Sequence, residues 1–295
     1  MEDQMAHFFS YLQYEKKYSG CTIDAYRSDL LQFKRFIYAR KDIPFYNIGA
    51  SFVREWIIFL MDKRYSPRSV NRKLSSLKSF FRYLCRKKLI NLNPIEAIVG
   101  VKTNKILPHF IRDKEIKCLV LNSLDEENFE NKRDNTILDV FYTTGIRCSE
   151  LIRLKDEDVD FDMCLLKITG KKNKQRLIPF STILKNVLKS YQNIRDRAIP
   201  TLKKVSFFLR RDGRSLNHSI VYYIVKKKLL NVPYLSKRSP HVLRHTFATS
   251  MLNNGANLNA VKELLGHSNL ASTEIYTHLT FEELKKIYNK AHPRA

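Results

Sequence analysis

The sequence predicts a mainly α-helical protein with one small β-hairpin, divided into a helical first part and a mixed α/β second part. Three observations lead there. Apolar residues recur at three- and four-residue steps through much of residues 1–101, the period of a helix with one buried face. Two apolar, β-rich runs flank a Gly-Lys-Lys-Asn-Lys turn within MCLLKITGKKNKQRLIPF, which reads as a hairpin with a lysine-rich tip. Between the two parts, VKTNKILPH lacks apolar periodicity and contains Pro108, the mark of a connection.

In the first part, Thr22 is placed to cap a helix running TIDAYRSDLLQFKRFIYAR, with Ile23, Tyr26, Leu30, Phe33 and Ile37 on one face. A second helix near SFVREWIIFLMDKR carries the only tryptophan, Trp56. Ser66 before Pro67 is an N-cap followed by a residue already set for the first helical turn, so a third helix should run to about Lys88. Its core face is Val70, Leu74, Leu77, Phe81 and Leu84. Lys63 to Lys88 also holds ten Lys and Arg and no acid. Exposed helix faces usually mix charge signs, so this one is expected to meet phosphates through Arg68, Arg72, Lys73 and Lys78.

The domains are accordingly expected at 1–101 and 110–295, joined by a linker at 102–109. Beyond the linker, about Asn131 to Thr143 should be helical, Gly145 should turn the chain, and Ser149 to Leu154 should start a short helix. After the hairpin comes a basic helix near Ile220 to Leu230. Pro240 should open a further helix that Gly255 stops, and Gly266 should stop the next, just before His267.

Composition narrows the class of function. Fifty-three Lys and Arg against 29 Asp and Glu give a formal charge of +24, which favours a polyanionic partner, nucleic acid first. Both parts are cationic, +9 to Val101 and +15 beyond it, as expected of a clamp that grips DNA from two sides. No apolar run approaches the roughly 18 residues that span a bilayer, and the start MEDQMAHFFS is acidic where a signal peptide is basic. A cytoplasmic, nucleoid-associated protein without membrane contact is expected. Cys21, Cys85, Cys118, Cys148 and Cys164 form no C-x-x-C pair, so neither a zinc knuckle nor a disulfide framework is suggested.

The stretches that carry chemistry are TTGIRCSELIRL, ITGKKNKQRLIPF, SPHVLRHTFATSML, LLGHSNLASTEIYTHL and the ending HPRA. Within them, Arg147 is followed by Lys171 after 24 residues, His241 after a further 70, Arg244 after 3, His267 after 23 and Tyr276 after 9. Attack on a DNA phosphodiester concentrates negative charge on equatorial oxygens, which planar guanidinium groups bind in pairs. His241 shares a helix face with Arg244. His245 is an alternative reading as an ordinary core histidine.

Together these stretches resemble the tyrosine recombinase family, most closely its Xer-type members, over nearly the whole chain. The resemblance implies a SAM-like helical core-binding domain followed by a mixed α/β catalytic domain, forming a C-shaped DNA clamp. It implies Arg147 and Arg244 as the guanidinium pair on the phosphate, Tyr276 as a nucleophile forming a 3′-phosphotyrosyl bond, and Lys171 as general acid on the leaving 5′ oxygen. It also implies His267 in proton transfer and Glu150 orienting an arginine. Lys172, Lys174 and Arg176 would join the DNA contacts. Because the phosphotyrosyl bond keeps the energy of the bond broken, no metal, ATP or other cofactor is expected.

The ending FEELKKIYNKAHPRA is similar to the C-terminal helix that in Xer-type proteins docks on a neighbouring protomer. The implied working unit is a homotetramer, or a heterotetramer with a paralogue, on two duplexes carrying recombination sites. A Holliday junction would form along the way, the task would be chromosome dimer resolution, and a DNA translocase would be a further partner. The same motifs also fit an integrase or invertase of a mobile or phase-variable element. A type IB topoisomerase shares the chemistry, and a catalytically inactive DNA-binding protein is the alternative of another class.

Overall fold

The computed structural model describes residues 2–40, 44–103, 111, 115, 128–170, 173–200, 206–232, 235, 237–266 and 281–294. The chain divides into two compact units, Met1–Ile106 and Leu107–Ala295.

In the first unit the described helices are α1 (Glu2–Ser10), continued by a π turn, then α2 (Gly20–Arg40), α3 (Ala50–Asp62) and α4 (Pro67–Arg86). An aromatic core joins them. Trp56 of α3 is fully buried edge-on to Phe33 of α2, with ring centres 4.9 Å apart, and Phe8 of α1 meets Phe80 of α4 at 5.3 Å. Such pairs add about 0.5–1.5 kcal/mol each beyond the area they bury. The expected core face of α4 is buried at all five positions, and the Ser66 hydroxyl accepts from the Ser69 N–H to cap it. Two boundaries differ from expectation. Helix α2 begins at Gly20, where the Ser19 carbonyl takes the first helical bonds, so Thr22 lies inside the first turn. Helix α4 stops at Arg86 because Lys88 turns left-handed at φ 56°.

The second unit contains α5 (Phe129–Thr144), α6 (Cys148–Arg153) and the strands β1 (Val159–Asp160), β2 (Leu165–Thr169) and β3 (Gln175–Pro179). Then follow α7 (Thr182–Ala198), α8 (His218–Lys228), α9 (Pro240–Asn253), α10 (Leu258–Leu265) and α11 (Phe281–Ala291). The sheet is antiparallel in the order β1-β2-β3, with Leu166 opposite Ile178 and Ile168 opposite Arg176. The expected hairpin is β2–β3. Strand β1 adds two residues that are too few to show a period in the sequence. Helices α5, α7 and α9 pack around a core that includes Phe141, Tyr191, Phe207, Phe208 and Phe247, all fully buried.

The expected breaks fall where glycine is needed. Gly145 ends α5 at φ 61°, and a Cβ there would stand 2.5 Å from the Phe247 ring. Gly266 ends α10 at φ 64°. Helix α11 packs on its own unit. Tyr288 is fully buried and donates to the Thr143 carbonyl at 3.1 Å. His292 stacks on the Tyr288 ring, and Arg294 donates to Asp139.

Candidate functional site

The site is built where three chain segments end. Gly145 turns the chain from α5 into a short extended link, so that Arg147 becomes the residue before α6. There the Glu150 carboxylate accepts from the Arg147 backbone N–H at 2.8 Å, closing the first turn of α6 from its third position. The same carboxylate accepts from the Arg147 side chain, Nη1 to Oε1 at 2.8 Å. Arg147 is thereby fixed at both backbone and side chain by one acid, as expected for a carboxylate that orients an arginine.

Arg244 rises from α9. It is 7% exposed, and its two terminal nitrogens donate to the Gly145 carbonyl at 2.7 Å and the Leu265 carbonyl at 2.6 Å. Arg147 Nη2 reaches the next carbonyl along, that of Gly266, at 3.0 Å. Arg176 on β3 completes a series, its Nε donating to the Leu264 carbonyl at 2.7 Å. Three successive carbonyls at the carboxyl end of α10, 264, 265 and 266, therefore each receive a different arginine. The last turn of a helix carries partial negative charge and unused carbonyls, so it is a natural seat for guanidinium groups.

Charge at the site is strongly unbalanced. Burial first, then the neighbouring Arg147 charge, pulls Arg244 down to about 10, leaving it a cation at neutral pH. Burial pushes the Glu150 carboxyl up, but the hydrogen bonds and charge of Arg176, followed by those of Arg147, hold it below the ordinary glutamate value. His241, one turn before Arg244 on α9, keeps an exposed face, and partial desolvation followed by the charges of His245, Arg244 and Arg147 holds it below the usual histidine value. An ionised carboxylate and a neutral imidazole thus stand beside three guanidinium groups, an arrangement that favours a bound anion.

Of the residues expected from the sequence, the structure brings together Arg147, Glu150, Arg244 and, by its position on α9, His241. Lys171, Lys172, His267 and Tyr276 lie outside the described residues. His245 is exposed, so the core-histidine alternative does not hold. Two of the expected DNA contacts are paired inward in this structure. Arg176 is 13% exposed at its side chain and donates to both oxygens of Glu150, Nη1 at 3.0 Å and Nη2 at 2.8 Å, so its charge is spent inside the site. Lys73 is 5% exposed and donates to the fully buried Asp29 at 2.9 Å. Arg68, Arg72 and Lys174 are exposed and Lys78 is half-buried, although Arg72 is itself forked onto Asp29. The inward role of Arg176 had one signal in the sequence, its place two residues before the inward-facing Ile178 on a strand.

Two arginines anchored on a helix terminus, with a histidine one turn away, form a cationic site suited to an anion such as a phosphodiester. The chain belongs to the phage integrase family, whose model matches residues 109–283, and it is a site-specific recombinase of the tyrosine type. The family's N-terminal SAM-like domain matches residues 5–88. Tyrosine recombinase XerC of Chlorobaculum parvum is 38% identical, with 98% of this chain and 94% of that protein covered. XerC of Listeria monocytogenes serotype 4b is 37% identical, covering 98% and 97%. Among solved structures, the fold is shared with XerH bound to difH in a pre-cleavage complex. The TM-score is 0.69 at 22% identity, over 90% of this chain and 78% of that one. It is also shared with the Tn1549 transposon integrase in complex with circular intermediate DNA, at TM-score 0.69 and 19% identity, over 96% and 98%.

Proposed function

We propose that this chain cuts and rejoins DNA at a specific site through Tyr276, with Arg147 and Arg244 holding the scissile phosphate. The observation that carries this reading is the joint anchoring of Arg147 and Arg244 on the Leu265–Gly266 carbonyls. It fixes two guanidinium groups side by side before any substrate arrives, so little reorganisation is needed when charge develops. His241, kept neutral at pH 7, takes the phenolic proton as the Tyr276 oxygen attacks phosphorus. The bond from phosphorus to the 5′ oxygen breaks, Lys171 supplies a proton to that oxygen, and the 3′ phosphate remains on the tyrosine. His267 assists the same proton traffic. Attack by a 5′ hydroxyl of the partner strand reverses the steps, expels Tyr276 and restores a phosphodiester without ATP.

The near-full-length similarity to proteins named XerC favours a Xer role over a mobile-element integrase. The proposed substrate is therefore a short chromosomal recombination site, and the task is resolution of chromosome dimers in the cytoplasm. Four protomers on two duplexes, alone or with a paralogue, would form the working unit, with a DNA translocase as activator. Residues 1–101 and 110–295, joined through 102–109, would each contribute contacts to DNA. No described helix is long and apolar enough to cross a membrane.

The test is a nicked duplex that traps the covalent product, incubated with wild type and Tyr276→Phe. A denaturation-resistant adduct in wild type alone is expected. An adduct that persists in Tyr276→Phe overturns the nucleophile.

A further inference from the structure

Arg176 is not one of the six residues of the proposed reaction, yet its bonds reach the supports of two of them. Its guanidinium forks onto Glu150, with one nitrogen on each carboxylate oxygen, at 3.0 and 2.8 Å. Its third nitrogen holds the Leu264 carbonyl at 2.7 Å. All three nitrogens are turned inward on a side chain that is 13% exposed. The fit is close, because a Cβ on Gly266 would come within 3.0 Å of Arg176 Nη1. One side chain on β3 thus ties the hairpin that leads to Lys171 in sequence to α6 and to the end of α10, after which His267 follows.

Charge bookkeeping gives this brace a second consequence. Glu150 is 4% exposed, and a buried carboxylate must be paired. Were Arg147 its sole cationic partner, that pair would be neutral and Arg147 would offer little attraction to a phosphate. Arg176 forms the fork-to-fork pair instead, the geometry in which arginine binds carboxylate best. Arg147 keeps a single side-chain bond to Glu150 and a second to the neutral Gly266 carbonyl. Its positive charge remains available.

We infer that Arg176 is a positioning residue for strand transfer, acting through Glu150 on Arg147 and through the Leu264 carbonyl on the turn that precedes His267. This rests on the proposed recombinase reaction. Arg176 touches no DNA in that role, so its loss should slow cleavage while leaving affinity alone. A misplaced catalytic group commonly costs about a hundredfold in rate.

The experiment measures adduct formation in single turnover on the nicked duplex at saturating protein, alongside duplex affinity and thermal melting. The proteins are wild type, Arg176→Lys, Arg176→Met, Glu150→Gln and the Arg176→Met/Glu150→Gln double variant. Arg176→Met should react about a hundredfold more slowly with affinity within threefold of wild type. Arg176→Lys should recover only part of the rate, since an ammonium keeps the charge but loses the fork. The double variant should be no slower than the slower single one, because both act through one pair. If Arg176→Met does not fold, Arg176→Lys carries the test, with at least a tenfold loss expected.

A rate within threefold of wild type in the folded variants overturns the inference. So does a fall in affinity that matches the fall in rate, which would make Arg176 a DNA contact. Wild type that protects the duplex from cleavage reagents yet forms no adduct overturns the recombinase reaction itself, a separate result.

Discussion

Asp29 in the first unit and Glu150 in the second are both buried carboxylates surrounded by cations, and they are used differently. Asp29 is fully buried and takes four donors, two from Arg72 and one each from Lys73 and Ser76, all on α4. It fastens α2 to one neighbouring helix. Glu150 also takes four donors, but they come from the backbone and side chain of Arg147 and from Arg176 on β3. Beside it stands a further cation, Arg244, which donates to the Gly145 and Leu265 carbonyls. The first cluster consumes positive charge to hold helices together, whereas the second arranges positive charge around a place for an anion. An acid among bases therefore does not by itself mark a functional site; what its neighbours retain after pairing does.

The largest effect expected from this contrast is on stability. Asp29→Ala leaves the Lys73 ammonium buried without its carboxylate, a change that costs about 3–5 kcal/mol when one partner of a buried pair is removed. Urea unfolding should show that loss in the transition of the first unit, with the second unit unaffected. A change under about 1 kcal/mol would mean that Lys73 escapes to water, and the cluster would then count as a surface network worth little.

A pair with one acid and one arginine lies between these cases and sharpens them. Asp139 is 3% exposed, and burial pushes its carboxyl up to about 6 despite the opposing charge of Arg294. In the folded protein a proton therefore binds more tightly than in the unfolded chain, and stability from that protonation is present at low pH and lost as pH rises through 6. Arg294 matters only once Asp139 is ionised. Arg294→Ala should cost about 2–3 kcal/mol at pH 8 and almost nothing at pH 5, measured as the shift in thermal unfolding at the two pH values. An equal loss at both would show that Arg294 acts by packing rather than by charge.

The same contrast separates what could be read in the sequence from what could not. The core face of α4, the hairpin and the glycine stops at 145 and 266 were legible because each follows from a period or from a backbone conformation only glycine adopts readily. The pairing of Arg147 with Arg244 was legible only through the resemblance of their motifs to a known family. The inward turn of Lys73 and Arg176 was not. A lysine-rich segment with no acid of its own looks uniformly positive until the fold brings Asp29, 44 residues earlier in the chain, against it. Glu150 and Arg176 are likewise 26 residues apart on different elements. Local composition records charges, whereas their partners are supplied by the fold.

That distinction yields the smallest and most specific prediction. Each cation that neutralises a DNA phosphate releases a counterion and adds about 0.9 to the slope of log affinity against log salt. Arg68 is exposed at the start of α4, while Lys73 is buried on Asp29 and lies over the Tyr65 ring at 5.2 Å. If the exposed stripe of α4 meets DNA, Arg68→Ala should lower that slope by about one unit. Lys73→Met, whose cation is already paired, should leave the slope unchanged and lower the unfolding temperature instead. Titrations of a labelled duplex between low and moderate salt would measure both slopes. Equal falls would mean that Lys73 leaves Asp29 when DNA binds, and Asp29 would then be a carboxylate that yields its cation to phosphate, which would erase the difference between the two clusters.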